Sequence, residues 1–278
     1  MENSDLQFLL SKANQGDVSS LYELATYYQN NGESDTAFNF AYRGATRYYP
    51  PCERKLAYFY EKGIGTPVDY QMAAHYYSLA IDHGDVPSIT NLGLLYYKGL
   101  GVEKNDAKAF ELISEAASKD NLNAISVLAR FYYKGIGTTQ SDDKYFELLT
   151  KAKDLGEKQV YHLIALCFYN GIGTDKDLNT AFSYFLEGSE EGDSECFYYL
   201  GLMLVAGEGC EKDYTRALYY YQQGAKEGDP RAMYNLALYY ENGVYVPKNM
   251  DLVLYWLKQA SLKGLDAATI KLETLTKC

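Results

Sequence analysis

Apolar residues along the chain recur at helical spacing, not in alternation. In the stretch 85–119, Ile89, Leu92, Leu95 and Tyr96 form one stripe, and Ala109, Leu112, Ile113 and Ala116 form a second. Each stripe covers a single helix face. Asp85 and Asn105 precede the stripes and offer side-chain oxygens to the orphan N–H groups of a first helical turn. Gly99 ends the first stripe, because a residue without Cβ enters the left-handed conformation at low cost. The stretch therefore predicts two helices joined by the loop Gly99 to Lys104, and no strand.

The same arrangement returns every 36 residues. Glycine pairs stand at Gly63/Gly65, Gly99/Gly101, Gly135/Gly137, Gly171/Gly173 and Gly207/Gly209, and a sixth copy at Gly243 carries Tyr245 in place of its second glycine. Leu56, Leu92, Leu128, Ile164, Leu200 and Leu236 keep this register, as do Gly84, Gly156, Gly192, Gly228 and Gly264, a series interrupted only by Asp120. Residues at the second cap position are Asp69, Asn105, Ser141, Asp177, Asp213 and Asn249. Fixed periods of this length are the mark of stacked supersecondary units.

The expected fold class is therefore all-α, a right-handed α/α superhelix (solenoid) of two-helix repeats with about 16 helices. The approximate units are a cap helix at 1–16, then 17–50, 51–84, 85–120, 121–156, 157–192, 193–228 and 229–264, and a capping helix at 265–278 ending near Lys277. The turn after Tyr28 is about four residues shorter than the later ones. No composition shift marks a linker, and one continuous array is expected.

Composition narrows the function. The net charge of −11 leaves no excess of Lys and Arg over Asp and Glu to neutralise phosphates, which argues against nucleic acid as the partner. No apolar run is long enough for a membrane span, and the start Met1-Glu2-Asn3-Ser4-Asp5 is not that of a secretory leader. The expected location is the cytoplasm, with delivery into another cell left open. The five cysteines form no CxxC pair and no Cys/His cluster, so no metal and no cofactor is expected. The 30 tyrosines against one tryptophan are the unusual feature.

The run Asn91-Leu92-Gly93, Tyr96-Tyr97-Lys98-Gly99-Leu100-Gly101-Val102, together with Lys226-Glu227-Gly228-Asp229, Ala232, Asn235 and Leu236, resembles the Sel-1-like repeat family, a relative of the tetratricopeptide repeat. The resemblance spans about residues 17 to 277. It implies an adaptor or scaffold for another protein, including bacterial effectors, regulators and immunity proteins. One branch of the family is cysteine-rich and binds or cleaves β-lactams. The pair of cysteines per repeat that defines that branch is missing here.

Projection of the first helices at about 100° per residue places positions equivalent to 90, 94 and 97 opposite the buried stripe. In a right-handed two-helix solenoid that side faces inward. The residues are Arg54, Tyr58 and Glu61; Thr90, Leu94 and Tyr97; Ser126, Arg130 and Tyr133; His162, Leu166 and Tyr169; Tyr198, Leu202 and Val205; and Tyr234, Leu238 and Glu241. A continuous strip of Leu and Tyr on a solvated face predicts a partner site, and tyrosine supplies apolar area and a hydroxyl at low rotamer cost. A protein or peptide partner in the groove is expected, with Arg130 and His162 as polar selectors. The other reading of the strip is packing against the next repeat.

Catalytic readings find less support. The glycine pairs follow helices and lack the third glycine and the preceding strand of a dinucleotide fingerprint. His75, His83 and His162 lie in separate repeats with no partner at triad or ligand spacing. The chain is thus expected not to be an enzyme. The competing classes are a β-lactam hydrolase and a self-assembling element, a homo-oligomer closed through the groove or the Cys278 end.

Overall fold

The computed structural model describes residues 3–243 and 245–276. Lys277 and Cys278, at the expected end of the last helix, lie outside the described residues. Among those described there are sixteen α-helices and one 3₁₀ turn, with no strand. The chain divides into two compact units, Met1–Ser141 and Asp142–Cys278. The boundary falls inside the repeat 121–156, between its two helices.

The first unit holds α1 (Asn3–Asn14), α2 (Val18–Asn30), α3 (Ser34–Ala45), α4 (Pro50–Lys62), α5 (Tyr70–Asp82), α6 (Val86–Lys98), α7 (Asp106–Ser118) and α8 (Leu122–Lys134). The second holds α9 (Asp142–Asp154), α10 (Tyr161–Asn170), α11 (Leu178–Glu191), α12 (Glu195–Ala206), α13 (Tyr214–Glu227), α14 (Pro230–Asn242), α15 (Met250–Leu262) and α16 (Asp266–Thr276). In each unit every helix packs on its chain neighbours. Even-numbered helices also meet one another, α2 with α4 and α6 with α8 in the first unit, and α10 with α12 and α12 with α14 in the second. The first helices of successive hairpins thus form a layer of their own.

Helix boundaries follow the side chains that satisfy them. Asp69, Asn105, Asp177, Asp213 and Asn249 each accept from backbone N–H groups at the start of a second helix. Gly63, Gly99, Gly135, Gly171, Gly207 and Gly243 close the first helices in the left-handed conformation. Asp120, which interrupts a glycine series, adopts φ +56°, a conformation that a short polar side chain tolerates. One start differs from expectation: Lys158–Val160 forms a 3₁₀ turn capped by Glu157, so α10 begins only at Tyr161.

The second glycine of each pair does more than end a helix. At Gly137, φ is +65°, and a Cβ would overlap the Asp106 carbonyl oxygen and stand 2.8 Å from Phe110 Cβ. Asp106 is the first residue of α7, in the preceding hairpin. Gly65, Gly101, Gly173 and Gly209 meet Ser34, Tyr70, Asp142 and Leu178 in the same manner. Each loop therefore docks on the start of the previous repeat's second helix. Tyr245 departs from the series with φ +60°, and its ring stacks on Tyr214 at 5.8 Å.

Small residues also bring the two helices of a hairpin together. A Cβ on Gly93 would lie 3.0 Å from Ile113 Cδ1, and one on Gly201 would lie 2.5 Å from the Tyr221 ring. In the first unit Leu21, Leu24, Ala37, Ala41, Cys52, Leu56 and Phe59 join one buried cluster. In the second, Phe185, Leu200, Met203, Leu204, Tyr221, Leu236, Val253 and Leu257 do the same.

Candidate functional site

The three rows of residues projected away from the buried stripe have different fates. The row Arg54, Thr90, Ser126, His162, Tyr198 and Tyr234 largely reaches into the next repeat. Arg54 Nη1 donates to Asp85 Oδ1 at 2.7 Å, and Asp85 Oδ2 meanwhile accepts from Ser88 N at 2.9 Å as the cap of α6. Thr90 is fully buried, and its Oγ1 donates to Asn121 Oδ1 at 3.4 Å, while Asn121 caps α8. Buried in this way, Thr90 presents nothing to a partner.

His162 makes a similar reach, although Ser194 and not Asp193 stands at the start of α12. Its Nδ1 lies 2.8 Å from Asp193 Oδ2, which also accepts from the His162 backbone N–H at 2.9 Å. Asp193 is fully buried, so the imidazole is committed to a carboxylate inside the protein and not to a ligand. Cys196 lies beside this carboxylate, and burial, then the Asp193 charge, pushes its thiol up. A related pair joins His83 Nδ1 to the buried Glu53 carboxylate at 2.9 Å. Tyr198 lies under the Arg231 guanidinium at 4.4 Å, Arg231 itself binding Glu195 and Asp229. Ser126 and Tyr234 are half-buried. These bonds to polar side chains at or just before the next repeat's first helix are an inter-repeat fastening that a single-helix projection does not reveal.

The other two rows are more open, mainly in the first unit. Tyr58, Arg130 and Tyr133 are exposed, and Leu94 and Tyr97 are half-buried. Glu61 accepts from Tyr77 Oη at 3.0 Å. In the second unit Leu166, Tyr169, Tyr198, Val205 and Tyr234 pack on the core, and Leu202 and Leu238 are half-buried. Tyr169 Oη donates to Glu208 Oε2 at 2.5 Å, and this bond, with burial, pushes its pKa up to about 12. Glu241 pairs with Lys271 at 2.9 Å.

Two clefts in the first unit gather what remains. Leu94, Tyr97 and Arg130 line a cleft of about 300 Å³ between α6 and α8, together with Phe131, Ile136, Lys98 and Lys134. Lys104 stands 5.9 Å from the Tyr97 ring. Among the described residues neither Lys98, Arg130 nor Lys134 has a carboxylate partner. Arg54 and Tyr58 line a second cleft, of about 250 Å³, with Tyr22, Gln29, Lys55 and Asn91. Lys55, Lys98, Phe131 and Lys134 were not among the expected site residues. Each is one residue beyond a projected position, and extending the rows from i+7 to i+8 would have reached both Lys98 and Lys134.

The second unit offers a cavity of about 410 Å³ lined by Ser194, Glu195, Glu227, Gly228, Asp229, Pro230 and Arg231. Its guanidinium is already satisfied. The Asp229 hydrogen bond, against burial and with help from Glu195, raises the Arg231 pKa.

Cys52, Cys167 and Cys196 are buried free thiols. Burial pushes Cys52 and Cys167 up to about 12, away from the thiolate needed for nucleophilic or metal chemistry. Among the described residues no group of three His, Cys, Asp or Glu is placed to hold a metal ion, and no helix is long and apolar enough to cross a membrane.

Six stretches, 50–85, 86–121, 123–157, 159–193, 194–229 and 230–265, match the Sel1 repeat. The chain belongs to the Sel1 repeat family. Among solved structures it is similar to c5321 of uropathogenic Escherichia coli, described as a protective antigen displaying this repeat fold, at 25% identity and a TM-score of 0.82. That match covers 97% of this chain and 59% of the other, so the Sel1 chain here spans under two thirds of the longer protein. It is also similar to a Sel1 repeat protein of Oxalobacter formigenes, at 28% identity and a TM-score of 0.75, covering 86% of this chain and 96% of that one. Comparison with curated proteins gives no match.

Proposed function

We propose that this Sel1 repeat protein is a protein-binding scaffold that holds a segment of a partner against the even-helix layer of its first unit. The observation that carries the reading is the cleft between α6 and α8, where Leu94, Tyr97 and Phe131 lie beside cations without carboxylate partners. Its volume suits one or two side chains of a polypeptide and is at the lower end for a small-molecule site. Aromatic and arginine side chains in such clefts are the usual anchors of protein contacts. Lys98, Arg130 and Lys134 favour a segment that carries acid next to an apolar residue, and such charge complementarity speeds encounter and selects partners. The acidic remainder of the chain repels such a segment, so the field favours this patch.

Selection of peptides from a displayed library on the full chain tests the reading. Enriched peptides combine an acidic residue with Leu, Phe, Tyr or Trp. They bind the Tyr97→Ala/Arg130→Glu variant at least about thirtyfold more weakly, the loss expected for two anchors at the centre of a contact. Equal binding by a folded double variant removes the proposal.

A further inference from the structure

The second cleft in the first unit, between α2, α4 and α6, has a different character. Lys55 Nζ donates to Gln29 Oε1 at 3.0 Å and stands 5.1 Å from the Tyr22 ring and 5.7 Å from the Phe59 ring. No carboxylate among the described residues pairs with it. Several other half-buried cations do close on one: Arg54 on Asp85 at 2.7 Å, Lys153 on Asp154 at 3.5 Å, and Lys271 on Glu241 at 2.9 Å; Arg43 instead donates to the Ala13 carbonyl at 3.3 Å. Carboxylates are not scarce, for the chain has 37 Asp and Glu against 26 Lys and Arg. Burial lowers the Lys55 pKa, with the Arg54 charge adding to the effect and Cys52 opposing it. An ammonium that has lost water without gaining an anion is half of an ion pair, and burial without a partner costs free energy.

The surroundings supply the rest of a receptor. Asn91 stands one repeat after Lys55, at the equivalent position of the neighbouring first helix, and lines the same cleft. Its amide has no protein partner among the described residues. Tyr22 and the exposed Tyr58 provide ring surface on the walls. The Arg54 guanidinium is held by Asp85, which leaves one uncompensated positive charge. One charge matches a carboxylate. A phosphate monoester carries about −1.5 to −2 at neutral pH and is commonly met by arginine clusters.

We infer that this cleft seats a carboxylate of a bound polypeptide, with Lys55 Nζ and the Asn91 amide as its donors and the Tyr22 and Tyr58 rings beside the adjoining side chain. The inference rests on the scaffold reading only for the polypeptide that carries the carboxylate. The ligand group itself follows from Lys55.

Amide NMR of the full chain tests it with four probes: N-acetyl-Leu-Phe as free acid, its C-terminal amide, N-acetyl-Glu-Phe amide, and inorganic phosphate. The free acid is expected to shift the Lys55, Tyr58 and Asn91 amides saturably, and Lys55→Met to bind it about tenfold more weakly, as for loss of a charge-assisted hydrogen bond. A response to the glutamyl amide equal to that of the free acid identifies a side-chain carboxylate, and a weaker one identifies a chain terminus. Either supports the site. Equal binding of the uncharged amide, preferential binding of phosphate, unchanged binding by Lys55→Met, or no saturable response to any probe overturns it. The Tyr97→Ala/Arg130→Glu variant keeps the free-acid response, so failure of the neighbouring cleft is distinguishable from failure of this one.

Discussion

Replacing Gly137 with alanine asks whether the Gly-x-Gly loops fasten one hairpin to the next. Two costs arise. Holding alanine at φ +65° costs about 1 kcal/mol relative to glycine, because its Cβ crowds the backbone in the left-handed region. The added Cβ would also overlap the Asp106 carbonyl oxygen and lie 2.7 Å from its carbon and 2.8 Å from Phe110 Cβ. Neither neighbour is a flexible tip, so α7 and the loop must separate by roughly 1 Å, and overpacking of that kind costs about 1–3 kcal/mol. The sum is about 2–4 kcal/mol. Gly84 is the control in the same unit: φ is +91° and no atom lies within 4 Å of its added Cβ, so Gly84→Ala loses only the backbone contribution of about 1 kcal/mol. Urea unfolding followed by circular dichroism of the full chain measures both. Equal losses, within about 0.5 kcal/mol, would show that the loop does not dock and would refute the reasoning.

Further predictions test the remaining contacts. His162→Leu removes the ring partner of the buried Asp193 carboxylate, whose Oδ2 keeps only the backbone N–H of residue 162, and should destabilise by about 2–4 kcal/mol, whereas His75→Ala, on an exposed ring, should change stability by less than about 0.5 kcal/mol; denaturant midpoints compare them. Cys52 and Cys167 ionise near 9 when unfolded and are pushed up to about 12 by burial, so the stability they contribute is complete below pH 9 and falls as pH rises toward about 12. Unfolding midpoints at pH 8 and pH 10.5 read this directly, and a midpoint that does not fall contradicts it. Tyr245→Gly relieves a positive φ and removes a ring stack of similar size, so a net change below about 1 kcal/mol is expected in a melting experiment; a loss above twice that would show the stack to dominate.

The helices, their caps and the repeat step were legible because each is written locally. Asp69 or Asn249 caps the helix it precedes, and Gly99 ends the helix it follows. The face projected away from the buried stripe was only partly legible. A projection of one helix tells which residues turn away from their own hairpin, but not that a polar side chain before the next first helix lies 31 residues on and waits for them. Thr90 and His162, expected to face a partner, thus engage Asn121 and Asp193, while Arg54 holds Asp85 and still lines the second cleft. Tyr58, Leu94, Tyr97 and Arg130 lie further along the same helices, beyond reach of those caps, and line the clefts. In the sequence the second glycine of each pair looks like part of helix termination, since its clash partner lies in the preceding repeat and no local pattern shows it. The carboxylate beside His162 was missed for the same reason, being distant in sequence and close in the stack.

Site-specific photocrosslinking in the native host tests the scaffold account most directly, with a benzophenone amino acid placed at Tyr97 in the α6–α8 cleft or at Tyr219, which is 55% exposed on the odd-helix layer. The account predicts a discrete protein adduct from position 97 that disappears when Arg130 is changed to Glu, and none of that mass from position 219. Equal adducts from both positions, or an adduct at 97 indifferent to Arg130→Glu, would contradict it.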